Sequence, residues 1–304
     1  MFISIGYVII DDIVLPDGTK HMGCLGGGSL HAIMGMRVWS DQVGLVGFVG
    51  SDFPSDLRDD LSKLFDLRGL TTLQARTMRA WQYFEADGTR NETFQTDPNE
   101  FPLFHPQVAS FPPDYNRLQG VHLHCSWAEV AEWVEYLEGL GNPFILWEPI
   151  QAEFLPENRD NFLKILPLVD CVSPNLQEAQ ALLGAPDARN QLDMLVQNGA
   201  RMAVIRAGAA GSTYADSEGN YIRVPAVKVE KVVDQTGAGN AYCGGLIVGC
   251  QQADDPREAL CRAAVSASFS LEQFGAIFPV KGIEKAAQRR LDECREELYR
   301  LNGN

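Results

Sequence analysis

The stretch VVDQTGAGNAYCGG, Val232 to Gly245, places a helix of very small residues directly behind a glycine turn. The turn TGAG, Thr236 to Gly239, follows the strand-like segment KVEKVV. Glycines there let backbone N–H groups converge with no Cβ in the way, and the N-terminus of the helix behind adds partial positive charge. The two together make an anion hole suited to a phosphoryl group in transit. A turn of purely structural purpose tolerates the same tripeptide. Asp234, two residues before Thr236, and the close-packing run AYCGGL sharpen the anion reading. An acid is expected just before Ala241, and the chain has Asn240.

Working outward, short apolar runs alternate with amphipathic stretches. FISIGYVII, QVGLVGFVG, GVHLHC, PFILW, LVDCVS and RMAVIRAG read as buried strands. SLHAIMGMRVW, PSDLRDDLSKLF, AEVAEWVEYLEGL, ENRDNFLKIL and NLQEAQALLG carry helical periodicity between them. Buried strands separated by helices mean right-handed β-α-β units and a parallel sheet covered on both faces. The expectation is a three-layer α-β-α sandwich, one α/β domain over residues 1–304, closed by helices from 237 onward.

Two stretches break the rhythm. Residues 11–25 and 74–96 alternate polar and apolar positions and carry Asp-Gly turns at 17–18 and 87–88. Each reads as a hairpin with one wet face, the two pairing as a small side sheet. Inserted after the first strand, such a sheet overhangs the carboxyl ends of the main one, where α/β ligands bind, so it reads as a lid. Its apolar residues Trp81, Tyr83 and Phe84 leave open a monomer or a lid-mediated homodimer. The proline-rich segment 97–116 reads as a wrapped linker.

Composition narrows the partners. The 304 residues carry a net charge of −15, with 45% hydrophobic content. The acidic balance argues against nucleic acid or an anionic membrane as main partner. Seven scattered cysteines without a C-x-x-C pair suggest reduced thiols in the cytoplasm, not a disulfide frame or a zinc site. The start MFISIGYVII lacks a basic leader pattern, and no apolar run reaches the roughly 18 residues of a membrane span. His122 and His124 form an H-x-H on one strand face. With no third ligand in view, they read as packing residues.

Taken in order, these landmarks resemble the ribokinase-like (PfkB) carbohydrate kinases. DQTGAGNAYCGG is similar to the family pattern D-T-x-G-A-G-D with its small-residue helix. GYVIID, 6–11, resembles the first strand with its sugar-binding aspartate. GGGSLHA, 26–32, resembles the Gly-Gly entry to the first helix. VGLVGFVGSD, EADGTR, SPNLQEA, VIRAGAAG and FGAIFP match further family landmarks, so the likeness spans nearly the whole chain.

The resemblance implies ATP and Mg2+ as cofactors, with K+ as an option, and a sugar or nucleoside hydroxyl as acceptor. It places Gly237, Ala238 and Gly239 at the anion hole. Asp234 and Thr236 would bind a monovalent cation behind it. Asp11, Gly27, Gly28 and His31 fall on the acceptor side, where His31 replaces a common asparagine. Asn175, Arg206, Gly208, Gly211 and Gly275 fall by the nucleotide, with Glu178 holding hydrated Mg2+. Read alone, N-L-Q-E is a helix cap with its capping-box glutamate. Arg206, where relatives often carry a small hydroxyl residue, suits either ATP phosphates or a salt bridge. The acceptor motifs hold no Lys/Arg cluster, so a phosphorylated sugar is not favoured. Asn240 stands at the position of the catalytic aspartate. Its amide orients a hydroxyl but takes no proton, which leaves two readings: an active divergent kinase, or a pseudokinase that senses nucleotide and sugar.

Overall fold

The structure is a computed structural model that describes residues 1–86 and 90–302. The expected sandwich is present. Nine strands form its central sheet: β1 (Phe2–Ile5), β4 (Val43–Gly50), β5 (Asp66–Leu73), β8 (Gly120–Leu123), β9 (Phe144–Trp147), β10 (Cys171–Val172), β11 (Met202–Arg206), β12 (Ser212–Asp216) and β13 (Tyr221–Val224). Their order across the sheet is β13-β12-β11-β10-β9-β8-β1-β4-β5. Pairing is parallel from β5 to β11. The last two strands, β12 and the edge strand β13, run antiparallel. Sequence periodicity missed β5 and β13, edge strands that bury too little to show a continuous apolar run, and β12, whose mostly buried run STYAD is largely polar or small.

The two-residue alternation of each strand sends successive side chains to opposite helical layers. Phe2, Leu146, Cys171 and Val204 point into one core. Ile3, Ile145, Val172 and Ile205 point into the other. The first core is covered by α1 (Gly28–Arg37), α2 (Ser55–Ser62), α7 (Ala238–Gln252), α8 (Pro256–Ser270) and α9 (Ile283–Asn302). The second is covered by α3 (Trp127–Glu138), α4 (Arg159–Ile165), α5 (Leu176–Leu183) and α6 (Ala188–Gln197). The small residues of α7 serve its crossing with α1. A Cβ on Gly244 would overlap the Ala32 carbonyl, and one on Gly35 the Ala241 carbonyl, so the helices meet backbone to backbone.

Two readings need correction. FISIGYVII is not one strand: β1 ends at Ile5, and Ile9–Val14 is β2 of a second sheet. The segment KVEKVV before the glycine turn forms no strand; it is irregular chain, with Val233 N bonded to Leu271 O at 2.7 Å. The second sheet adds β3 (Lys20–Gly26), β6 (Arg79–Phe84) and β7 (Arg90–Phe94), in the order β3-β2-β6-β7. Each hairpin is antiparallel, and the two join through a parallel β2–β6 pairing. The turn at 87–88 lies outside the described residues. Ion pairing of Arg79 with the buried Asp12, at 2.6 Å, ties the two hairpins together.

Candidate active site

The carboxyl ends of β1, β8, β9, β10 and β11 end at one cavity of about 1330 Å3, roofed by the four-stranded sheet. Single-ligand pockets run roughly 300–1000 Å3, so there is room for two ligands side by side. Tyr7, His124, Glu148, Asn175 and Arg206 each lie just past or at the end of a strand and all line it. So do Asp11, Gly27, Gly28, His31, Gly208, Gly211, Glu178 and the turn from Thr236 to Asn240. Gly275 does not. It packs beneath β3, with Ala276 N bonded to Leu25 O at 2.6 Å.

At the glycine turn, Gly237 is the N-cap of α7 with φ 72°, a left-handed conformation that suits glycine. The His31 ring lies where a Gly237 Cβ would be, and the Arg206 Nη1 lies where a Gly239 Cβ would be. Among the described residues neither Gly239 N nor Asn240 N has a backbone acceptor. The turn therefore aims two free donors and a helix N-terminus at the cavity. His31 is its floor: 2% exposed, with Nδ1 3.4 Å from Ser270 Oγ and Nε2 unpartnered. Burial, helped by the charge of Arg90, lowers the His31 pKa to about 4, so the ring is neutral.

Behind the turn sits a buried polar network that sequence reasoning missed. Glu148, 4% exposed, accepts from Asn240 Nδ2 at 2.8 Å and from His122 Nε2 at 2.8 Å, both at Oε2. Its Oε1 lies 2.8 Å from Arg206 Nη2, which also donates to Ser173 O at 2.7 Å. Burial alone would raise the Glu148 pKa, but the Arg206 charge and the His122 hydrogen bond hold it well below the usual carboxylate range. Glu148 in turn keeps Arg206 charged against the cost of burial. His122 also meets Ser4 Oγ at 2.8 Å and is wholly buried. His122, Glu148 and Cys243 lie close enough to suggest a metal cluster, but both Glu148 oxygens already have donors.

His124 stacks on His122 at 5.9 Å, and its Nδ1 meets the Glu148 carbonyl at 2.9 Å. The signal for these residues was available: His124 and Glu148 are the first residues beyond the ends of two adjacent parallel strands, at the edge where α/β sites form.

On the acceptor side, Asp11 is 3% exposed and accepts from Gln82 Nε2 at 2.9 Å. Gln82 bridges onward to Glu92 at 2.6 Å, and Arg90 Nη1 donates to Gln82 Oε1 at 3.0 Å. Burial, against the Gln82 bond and with the nearby Glu92 charge, raises the Asp11 pKa to about 7. Asn175 and Glu178 form the reciprocal capping box of α5, at 2.8 and 2.7 Å. That box uses one Glu178 oxygen, and burial raises the pKa of its carboxyl. Asp234 Oδ1 accepts from Thr236 N at 2.7 Å, while Asp234 Oδ2 and Thr236 Oγ1 are buried without partners. Two orphaned oxygens at one turn fit a desolvated monovalent cation.

Comparison with known proteins agrees with this architecture. Residues 4–282 match the pfkB family carbohydrate kinases. The cytidine kinase of Thermococcus kodakarensis is 28% identical over 81% of this chain and 87% of its own. The adenosine kinase structure from Sinorhizobium meliloti superposes with a TM-score of 0.78 at 18% identity, covering 95% of this chain and 98% of that one. The fructokinase of Vibrio cholerae O395, in its fructose, ADP and calcium ion bound form, gives a TM-score of 0.75 at 20% identity, covering 95% and 98%. With its sheet order, its glycine turn and a family match over nearly its whole length, the chain belongs to the pfkB family of carbohydrate kinases.

Proposed function

We propose that the protein transfers the γ-phosphoryl group of ATP to a hydroxyl of a sugar or nucleoside. The observation that carries the reading is that the Gly237–Gly239 turn and Asp11 line one cavity with room for two ligands. The adenosine, cytidine and fructose kinases among its relatives support it. An apolar wall of Tyr7, Ile9, Met78, Phe94 and Phe101 beside Asp11 favours a nucleoside, whose base presents a flat face, over a bare sugar.

In this reading Asp11 fixes the acceptor through its hydroxyls, with Gly27 and Gly28 letting it approach the backbone. The open flank along Gly208 and Gly211 takes the nucleotide. The N–H groups of Gly239 and Asn240 and the free Nη1 arm of Arg206 meet the charge that builds on the phosphoryl oxygens, which is the main task in phosphoryl transfer. The unshared Glu178 oxygen, with the Asn175 amide beside it, fits a water-held Mg2+, which when bound neutralises phosphate charge. Asp234 and Thr236 would hold K+ behind the turn. Reduced thiols throughout suit the cytoplasm. No helix among the described residues is long and apolar enough to cross a membrane.

One observation favours a second reading, a nucleotide- and sugar-binding pseudokinase. Asn240 cannot take a proton, and its amide N–H is engaged with Glu148. Loss of a general base costs about 10²–10⁴-fold in rate but leaves binding intact. ADP release across a panel of nucleosides and sugars separates the two. Acceptor-dependent turnover by the native chain rules out the pseudokinase. ATP and acceptor binding by calorimetry without turnover rules out the enzyme, and absence of both binding events sinks both readings.

A further inference from the structure

We propose that His124 Nε2 takes the proton of the attacking hydroxyl, in place of the acid missing at position 240. The inference rests on the phosphotransferase reading above. Its ground is geometric. A Cβ on Gly28 would run into the His124 ring edge, 2.6 Å from Cδ2 and 2.7 Å from Nε2, and would lie 3.0 Å from Asn240 Nδ2, so the His124 ring and the Asn240 amide crowd one face of this glycine. Gly28 opens α1 and lines the same cavity as Asp11, His124, Asn240 and the glycine turn, so a hydroxyl held there for attack at the anion hole has the His124 ring and the Asn240 amide side by side in the cavity wall.

The protonation state follows from the partners. A backbone carbonyl only accepts, so the 2.9 Å contact of His124 Nδ1 with Glu148 O fixes the proton on Nδ1. The lone pair of the neutral ring is then on Nε2. That atom has no hydrogen-bond partner among the described residues and is not sealed from the cavity. Burial lowers the His124 pKa below its usual value, so the ring is neutral at pH 7. The charged and titratable groups facing it are Glu148 from the end of β9, His122 on its own strand and Arg206 from β11. Glu148, ionised and buried, offsets part of the burial effect and would stabilise the imidazolium as it forms. This is the arrangement of a base oriented by a second group that carries no proton itself.

The other candidates are engaged elsewhere. Both Glu148 oxygens have donors and its carboxyl resists protonation. His31 lies under the turn. Asp11 is tied to Gln82 on the lid side. In the step itself, the acceptor oxygen forms a bond to the γ-phosphorus of ATP and the bond from that phosphorus to the β–γ bridging oxygen breaks. ADP leaves with that electron pair, and the hydroxyl proton passes to Nε2, from which solvent later removes it.

The test is kcat between pH 5 and 8.5, at saturating ATP and an acceptor found active in the panel, for the native chain, His124→Gln and His124→Ala. The native kcat should rise from an acid limb centred below pH 6.5, to a plateau at neutrality. His124→Gln should lower kcat about 10²–10⁴-fold, abolish the limb and leave the KM for ATP unchanged. Added imidazole should restore part of the rate in His124→Ala and none in His124→Gln. If His124→Gln keeps the native kcat and its acid limb, the assignment falls while the kinase reading stands. If the native chain turns over no acceptor, the kinase reading falls and takes the assignment with it.

Discussion

Restoring the aspartate, Asn240→Asp, should harm this protein rather than repair it. The substitution is nearly isosteric, so sterics offer no excuse. In the native chain Asn240 Nδ2 donates to the buried Glu148 Oε2 at 2.8 Å. In the variant two carboxylate oxygens face each other across that gap. At an effective dielectric of about 20, two unit charges 2.8 Å apart repel by about 6 kcal/mol. A cheaper escape exists, which is to bind one proton between the two. For a carboxyl of ordinary pKa near 4, that costs about 4 kcal/mol at pH 7, or 1.4 kcal/mol per pH unit. The smaller figure sets the limit, so Asn240→Asp should lose about 2–4 kcal/mol of stability at pH 7. The sign with pH follows: the folded variant binds a proton that the unfolded chain releases, so its deficit shrinks as pH falls from 7.5 towards 5. Urea unfolding of both proteins at pH 5, 6 and 7.5 measures this, with turnover followed alongside. Equal stability at pH 7.5, or a deficit that does not move with pH, would refute the reasoning about Glu148.

Three further outcomes follow from the same geometry. Gly239→Ala drives a Cβ into Arg206 Nη1, so ATP affinity should fall about tenfold or more by calorimetry, with α7 retained by circular dichroism. Arg206→Met strips Glu148 of its counter-charge and should cost about 3–5 kcal/mol in urea unfolding, because a lone buried carboxylate is left behind. Asp11, with its pKa raised by burial to about 7, binds acceptor hydroxyls best as a carboxylate. Acceptor affinity by calorimetry should therefore rise with pH through neutrality and level off, and Asp11→Asn should flatten that curve while leaving ATP affinity alone.

The fold was legible because buried parallel strands are continuous apolar runs and helices between them are not. The lid was legible because alternation and Asp-Gly turns interrupt that rhythm. What the residues could not show was partnership. Arg206 reads equally well as a phosphate ligand and as a surface ion pair until Glu148 is seen beside it, 58 residues away in sequence. The HLH at the end of β8 reads as packing, and His122 does pack; His124, just past the strand, lines the cavity with its Nδ1 held by the Glu148 carbonyl, a partner 24 residues away in sequence. Gly275 carries a family landmark, yet a left-handed turn tucks it under the lid strand instead of along the cavity.

Arg206 and Asn240, the two departures on the phosphate side, account for each other. A buried guanidinium at the end of β11 demands a counter-charge, and Glu148 from the end of β9 supplies it. The other Glu148 oxygen takes donors from His122 and from Asn240, and an aspartate carboxylate at 240, which only accepts, could not be one of them. The acid has in effect moved from the helix N-terminus to a strand end, where Arg206 keeps it from accepting a proton. Moving it back should therefore work where single reversion fails. In Glu148→Gln/Asn240→Asp the charge count is conserved. The amide introduced at position 148 donates to the carboxylate introduced at position 240, and Arg206 keeps one carboxylate within reach. The urea midpoint of this double variant should lie closer to native than that of either single variant, giving a coupling free energy of about 2 kcal/mol or more in the double-mutant cycle. With a carboxylate again at the mouth of the anion hole, turnover should no longer need His124. Adding His124→Gln to the swapped protein should leave its kcat unchanged. A large further loss would mean that the histidine does something other than take the proton.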